Sequence, residues 1–179
     1  WKNEAAEGGI ISSFDKNSGV YSLGPVKIEG DLIIQQTAQL IITGTIWVTG
    51  RIDIKNSAQI RLDQSYGSNS GMIIGDGLIE LQNNSVSSGS SAPGSYLMYI
   101  STSSGNPVIV IKNSARADIL YSNNGWVEVN NNTPIKSVNA YGILVKNQAT
   151  LTYEIGLADT FFTSGPSAGF VVTSWREIE

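Results

Sequence analysis

The chain has 179 residues, 41% of them hydrophobic, which is enough for one well-filled core and short for two. Its net charge is −4 and its 11 Lys and Arg are scattered, so no basic stripe exists to neutralise phosphates and nucleic acid is not an expected partner. Cysteine and histidine are both absent, which excludes disulfides, thiolate and imidazole metal centres, and every catalytic triad built on His.

Residues 1–24 carry no repeat and read as an N-terminal linker or cap, with Phe14, Tyr21 and Leu23 packing across one end of the domain. Position 1 is Trp, the only methionines are Met72 and Met98, and no run approaches the ~18 apolar residues of a membrane span. The chain therefore reads as a processed or truncated part of a longer precursor, and contact with a membrane is expected only through a missing N-terminal anchor.

From residue 25 the sequence repeats. Residues 25–43, PVKIEGDLIIQQTAQLIIT, superimpose without a gap on 45–63, TIWVTGRIDIKNSAQIRLD: Gly30 falls on Gly50, Leu32 and Ile34 on Ile52 and Ile54, and Leu40 and Ile42 on Ile60 and Leu62. The unit aliphatic-x-aliphatic-polar-amide-x-small then returns at Ile79–Ser85, Ile109–Ala115, Val127–Thr133 and Ile143–Ala149. A second alternating pair usually comes next, as with Ala117 and Ile119. Period-two alternation turns one set of side chains inward, and a lone strand pair cannot bury that set. Stacked units can, because each buried Ile, Leu or Val contributes about 1.5–3 kcal/mol once its neighbours cover it. The expected fold is thus all-β: a single-domain parallel β-helix, or β-solenoid, of about six coils over residues 25–153, with capped ends and the usual right-handed crossover.

One amide column accompanies the strands. Gln36, Asn56, Asn83, Asn113, Asn131 and Asn147 occupy equivalent corners, where a left-handed backbone suits Asn, and stacked amides can form a structural ladder. Asn83 and Asn131 also stand in N-x-S/T patterns, which the ladder accounts for without glycosylation. The longer spacings around Asn83 and Asn113 imply insertions, at 64–71, 85–95 and 102–107, which read as Gly/Ser-rich loops. Residues 154–179 are assigned to a C-terminal cap, with Phe170–Trp175 as a closing strand.

Chemistry is sparse. Asp53 and Glu80 stand at equivalent outward positions on neighbouring coils, about 4.8 Å apart by strand spacing, near the carboxyl separation of retaining glycosidases. The same column carries Ile33, Val110 and Leu144, and Lys55 is expected close enough to offset the acids. A carbohydrate-active β-helix is therefore the alternative reading. Trp47, Tyr66, Tyr96 and Trp126 are the candidate ligand-binding aromatics, with surface glycans as the partner they would suit. Two carboxylates on a flat sheet do not supply the six to eight oxygens that calcium takes, so no metal and no cofactor is expected.

The series Leu97–Ser104, Ile119–Gly125, Gly142–Asn147 and Ser174–Ile178 resembles the C-terminal β-helical domain of PilX-like pilus-associated cell-surface proteins, over about residues 20–179. The resemblance implies an extracellular or cell-surface location and no enzymatic activity. It also implies a pilin-like N-terminal helix, absent here, and assembly with itself or with other pilus or surface subunits. A second, weaker likeness is to bactofilins, whose β-helical repeats stack into polymers. The expected function is accordingly a structural or adhesive module.

Overall fold

The computed structural model describes residues 1–151 and residue 162. The chain winds as an all-β parallel solenoid. After a short helix, α1 (Lys2–Glu7), each of the first coils has three strands: β1 (Ile10–Ile11), β2 (Phe14–Lys16) and β3 (Val20–Leu23), then β4 (Val26–Ile28), β5 (Leu32–Gln35) and β6 (Gln39–Ile42). The next two coils repeat this with β7 (Ile46–Val48), β8 (Ile52–Lys55) and β9 (Gln59–Leu62), and with β10 (Gly71–Gly75), β11 (Ile79–Gln82) and β12 (Val86–Ser88). Equivalent strands pair in parallel, so β1, β4, β7 and β10 build a first side, β2, β5, β8 and β11 a second, and β3, β6, β9 and β12 a third.

Residues 10–23, expected to lie outside the repeat, form a complete coil. Phe14 and Leu32 are in register, as are Lys16 and Ile34. Lys16 stands where later coils carry an aliphatic residue, which hides this coil from a hydrophobic pattern.

Inside, the alternation delivers one continuous core. Ile34, Ile54, Leu81, Ile111 and Val129 stack in one column and are fully buried. Gly30, Gly50 and Gly77 stack at the corner between first and second sides. A Cβ on Gly50 would lie 2.5 Å from the Gly30 carbonyl oxygen, so the chain turns there only without a side chain.

Beyond β12 the cross-section changes. After β13 (Leu97–Ser101) and β14 (Gly105–Lys112), the strands β15 (Ala117–Asn130) and β16 (Pro134–Lys146) run from the third side through the first into the second, and β17 (Thr150–Leu151) pairs with the start of β16. The third side is no longer a separate sheet. It continues through a bridge between Val86 and Arg116 into the first residues of β15 and β16, where Ala117 pairs with Ile135 and Ile135 with Leu151 of β17. Tyr99, fully buried on β13, crosses the core at this step, and its hydroxyl lies 2.7 Å from Ser87 Oγ on β12. Ser87 occupies the column of Leu40 and Ile60, and its small side chain makes room for the ring.

Ile119, expected to face inward with Ala117, lies on the outer side, and Leu120 takes the core position beside Tyr99. Phe162 packs against that outer apolar cluster, while the remainder of the C-terminal cap and the closing strand at 170–175 fall outside the described residues. Among the described residues, no helix is long and apolar enough to cross a membrane.

Candidate functional site

On the second side, the outward column runs Asp15, Ile33, Asp53, Glu80, Val110, Glu128 and Leu144. Asp53 and Glu80 are direct partners in the β8–β11 register. Their carboxylates are nevertheless committed elsewhere. Lys55 Nζ lies 2.5 Å from Asp53 Oδ2, Gln82 Nε2 donates to Asp53 Oδ1 at 3.2 Å, and Arg51 stands 3.8 Å from the same group. Asp53 is only 3% exposed under this cover. Glu80 receives Lys112 at 2.5 Å and Glu128 receives Lys146 at 3.1 Å. A glycosidase pair needs one carboxyl free to donate a proton and another open to the sugar. Here each acid is neutralised by a base from the neighbouring outward column, and the face is a charge ladder.

At the corner after the second side, the backbone is left-handed at all six amide positions, with φ of 58° at Gln36 and 51° at Asn147. Asn83 Nδ2 donates to Asn56 Oδ1 at 3.0 Å, Asn113 to Asn83 at 2.9 Å, and Asn131 to Asn113 at 2.8 Å. These bonds span 27, 30 and 18 residues of chain, so the ladder holds its pitch while the coil length changes. The Nδ2 atoms of Asn83 and Asn131 are the ones an N-linked glycan would use, and both are engaged. The next residue in most coils, Ser57, Asn84, Ser114, Asn132 or Gln148, is left-handed too.

The four aromatic candidates do not converge. Trp47 is half-buried, with Lys2 and Lys27 at 5.0 and 4.9 Å from its ring and its Nε1–H donating to Asp76 at 2.9 Å. Its face is therefore taken by cations of the chain itself. Tyr66 and Tyr96 are buried, contrary to their expected place beside open loops. Burial, reinforced by the charges of Glu4 and Asp63, pushes the Tyr66 phenol up to about 12. Lys136 Nζ lies 4.8 Å from the Tyr96 ring. Trp126 is half-buried and lies over Gly142 of the next coil, where a Cβ would come within 2.4 Å of the indole.

The Gly/Ser-rich loops at 64–71 and 85–95 are stitched together. Ser90 Oγ donates to the Gly67 carbonyl, Ser95 Oγ to the Asn69 carbonyl at 2.7 Å, and the Tyr96 N–H to Ser70 Oγ at 2.9 Å. Asp118 secures them from beneath. Its Oδ2 accepts the N–H of Gly89 at 2.9 Å and that of Leu97 at 3.1 Å, so one carboxylate pins both ends of the 89–97 loop, while Lys136 Nζ sits 3.2 Å from Oδ1. Burial raises the Asp118 carboxyl, and the Leu97 N–H, Lys136 and the Gly89 N–H offset this only in part. A second linchpin is Asp76, which takes Lys2 Nζ at 2.6 Å, Thr102 Oγ1 at 2.6 Å and the Trp47 N–H. Its burial acts upward, but these three donors together hold it below the usual carboxylate range.

Among the described residues, no three Asp or Glu side chains are grouped to hold a metal ion. No family model, curated protein or solved structure matches the chain. The functional reading therefore rests on the residues themselves.

Proposed function

We propose that this chain is a non-enzymatic structural or adhesive module of a pilus-like or other cell-surface protein, acting by self-assembly or surface attachment. The observation that carries the reading is the commitment of Asp53 and Glu80 to Lys55 and Lys112 at 2.5 Å each. Catalytic carboxylates need an open approach to the sugar, whereas Lys55 covers Asp53 from its own strand, and the Gln82–Asp53 and Lys112–Glu80 contacts tie one coil to the next. The amide ladder does the same work at the corner. Surface ladders of this kind make a stiff rod whose sides are available for contact. The PilX-like resemblance supplies the setting, with an N-terminal helix as anchor and surface glycans or neighbouring subunits as partners.

The test is the double variant Asp53→Asn with Glu80→Gln, which keeps the shape and the hydrogen-bonding capacity of both side chains. Assembly and surface attachment are expected to match the parent. Polysaccharide cleavage by the parent that disappears in the variant would replace this reading with the carbohydrate-active one.

A further inference from the structure

The outer surfaces of the second and third sides differ in charge. The second side sets Lys55, Lys112 and Lys146 against acids. On the third side the outward residues of β6, β9 and β12 are Gln39 and Ile41, Gln59 and Arg61, and Val86 and Ser88, none of them acidic. In a chain of net charge −4, a surface with a base and no acid is a local exception.

A hollow of about 270 Å³ opens in this surface where the separate sheet gives way to the starts of β15 and β16. Strand β12 stops at Ser88, and the Gly89 N–H is drawn aside to Asp118. Arg116 is bridged to Val86, and Pro134 precedes Ile135, the partner of Ala117, so Val86, Arg116 and Pro134 form one row along the outside. Arg116 and Pro134 are both exposed. The Arg116 guanidinium meets no acid and no hydrogen-bond acceptor among the described residues. Its charged neighbours are already matched, Lys136 Nζ to Asp118 Oδ1 at 3.2 Å and Asp118 Oδ2 to the Gly89 and Leu97 N–H groups. The hollow thus combines an uncommitted planar cation with apolar walls from Val86 and Pro134, and Ser88 brings a hydroxyl to its lining.

We propose that this hollow binds a carboxylate-bearing sugar of a surface polysaccharide, with the carboxylate on Arg116 and the C–H face of the ring on Val86 and Pro134. A guanidinium takes a carboxylate through two parallel hydrogen bonds, so an acidic sugar is fixed in one orientation and a neutral one is not. The volume is below the roughly 300–1,000 Å³ of sites that enclose a drug-sized ligand, which suits one ring whose chain continues outside. The amides of Gln39 and Gln59, in the same outward row as Val86, offer that chain hydrogen bonds further along. An acidic peptide fits less well. A peptide recognised by a sheet adds a strand to an open edge, and β12 is paired with β9 on one side and bridged to Arg116 on the other. The proposal deepens the surface-attachment part of the proposed function and rests on reading the chain as a non-enzymatic module.

Calorimetric titration with a galacturonate oligosaccharide at low salt is expected to show binding, and its methyl ester, the same rings without the charge, should not bind. Arg116→Ala should weaken the interaction about 10-fold or more, as the loss of a charge-assisted pair does. Arg116→Lys keeps the charge without the fork and should recover only part of it. Arg51→Ala, on the second side, should bind as the parent does, and the circular dichroism spectra of all three variants should superimpose on that of the parent. No binding by the parent, equal binding of the ester, or an Arg116→Ala chain that binds like the parent overturns the proposal. Equal binding of polyglutamate also overturns it and assigns the hollow to acidic peptides. If the proposal fails in any of these ways while the parent still self-assembles, the module reading stands; shortening of the oligosaccharide by the parent would remove both.

Discussion

Before Ser88 the third side of the solenoid is a sheet of its own, and after Leu97 it is the short leading end of strands that run on into the first side, although one repeat runs through both parts. In the first part the third side is a sheet, β3, β6, β9 and β12, whose inward residues Leu40 and Ile60 fill the core. In the second part that side is shortened to the paired starts of β15 and β16 and to β17, Tyr99 fills the core beside the small Ser87, and Asp118 holds the 89–97 loop. The second side and its amide corner continue unchanged through the transition. A stacked coil thus tolerates the merging of two sides if the columns keep their register and a large side chain fills the junction.

Tyr99 should be the most sensitive residue at this junction. Tyr99→Ala removes a fully buried ring and leaves Ser87 without its partner, for an expected loss of about 3–5 kcal/mol in urea unfolding. Tyr99→Phe keeps the packing and orphans only the Ser87 hydroxyl, with an expected loss of about 1–3 kcal/mol. If both cost the same, the hydrogen bond rather than the volume would be what joins the two parts.

Asp118 comes next. Asp118→Ala leaves the N–H groups of Gly89 and Leu97 without an acceptor, at about 1–3 kcal/mol for a buried orphan. Hydrogen exchange should speed up at those two amides and remain slow at Ile34 and Ile54. The pH dependence has a definite sign. The folded carboxyl is raised above its unfolded value, so the native chain binds the extra proton between the two, and the contribution of this group is lost as pH rises through the folded value. Asp76 works in the opposite sense: its folded value is lowered, and its stabilisation is lost as pH falls through that value. In Asp118→Asn the decline in stability on raising pH from the usual carboxylate range toward neutrality should flatten; an unaltered slope would remove Asp118 from the account.

Whatever repeats locally is legible in the sequence. The aliphatic pairs and the amide at each corner are spaced by one or two residues, so their inward direction and left-handed turn can be read from the letters alone. The first coil escapes because Lys16 interrupts the column and the corner after it, Asn17-Ser18, lacks the same spacing. Tyr99 and Ser87 escape for a different reason. Their hydrogen bond spans 12 residues and depends on where a sheet ends, which no single coil records. Tyr66 and Tyr96 are misplaced by sequence reasoning because Ser-rich segments look soluble, whereas here the hydroxyls of Ser90 and Ser95 satisfy backbone carbonyls and let the two loops pack. The signal for Asp118 is an acid between Ala117 and Ile119, and it is weak alone, since the same spelling occurs on any solvated strand.

The amide ladder offers the smallest and most discriminating perturbation, because it is the feature that both parts share. Asn113 donates to Asn83 and accepts from Asn131, and thereby joins the last coil whose third side is a separate sheet to those whose third side is fused with the first. Asn113→Gly preserves the left-handed turn, whose φ is 55°, and removes both bonds. The corner is exposed, so water replaces much of what is lost, and about 1 kcal/mol is expected. Asn113→Val removes the same bonds but also forces a β-branched residue into the left-handed region, and should cost more by about 1–2 kcal/mol. A similar loss in both variants would place the value of the corner in its hydrogen bonds. A near-zero effect for Gly with a clear effect for Val would place it in the backbone, so that the stacked amides would result from the turn rather than cause it.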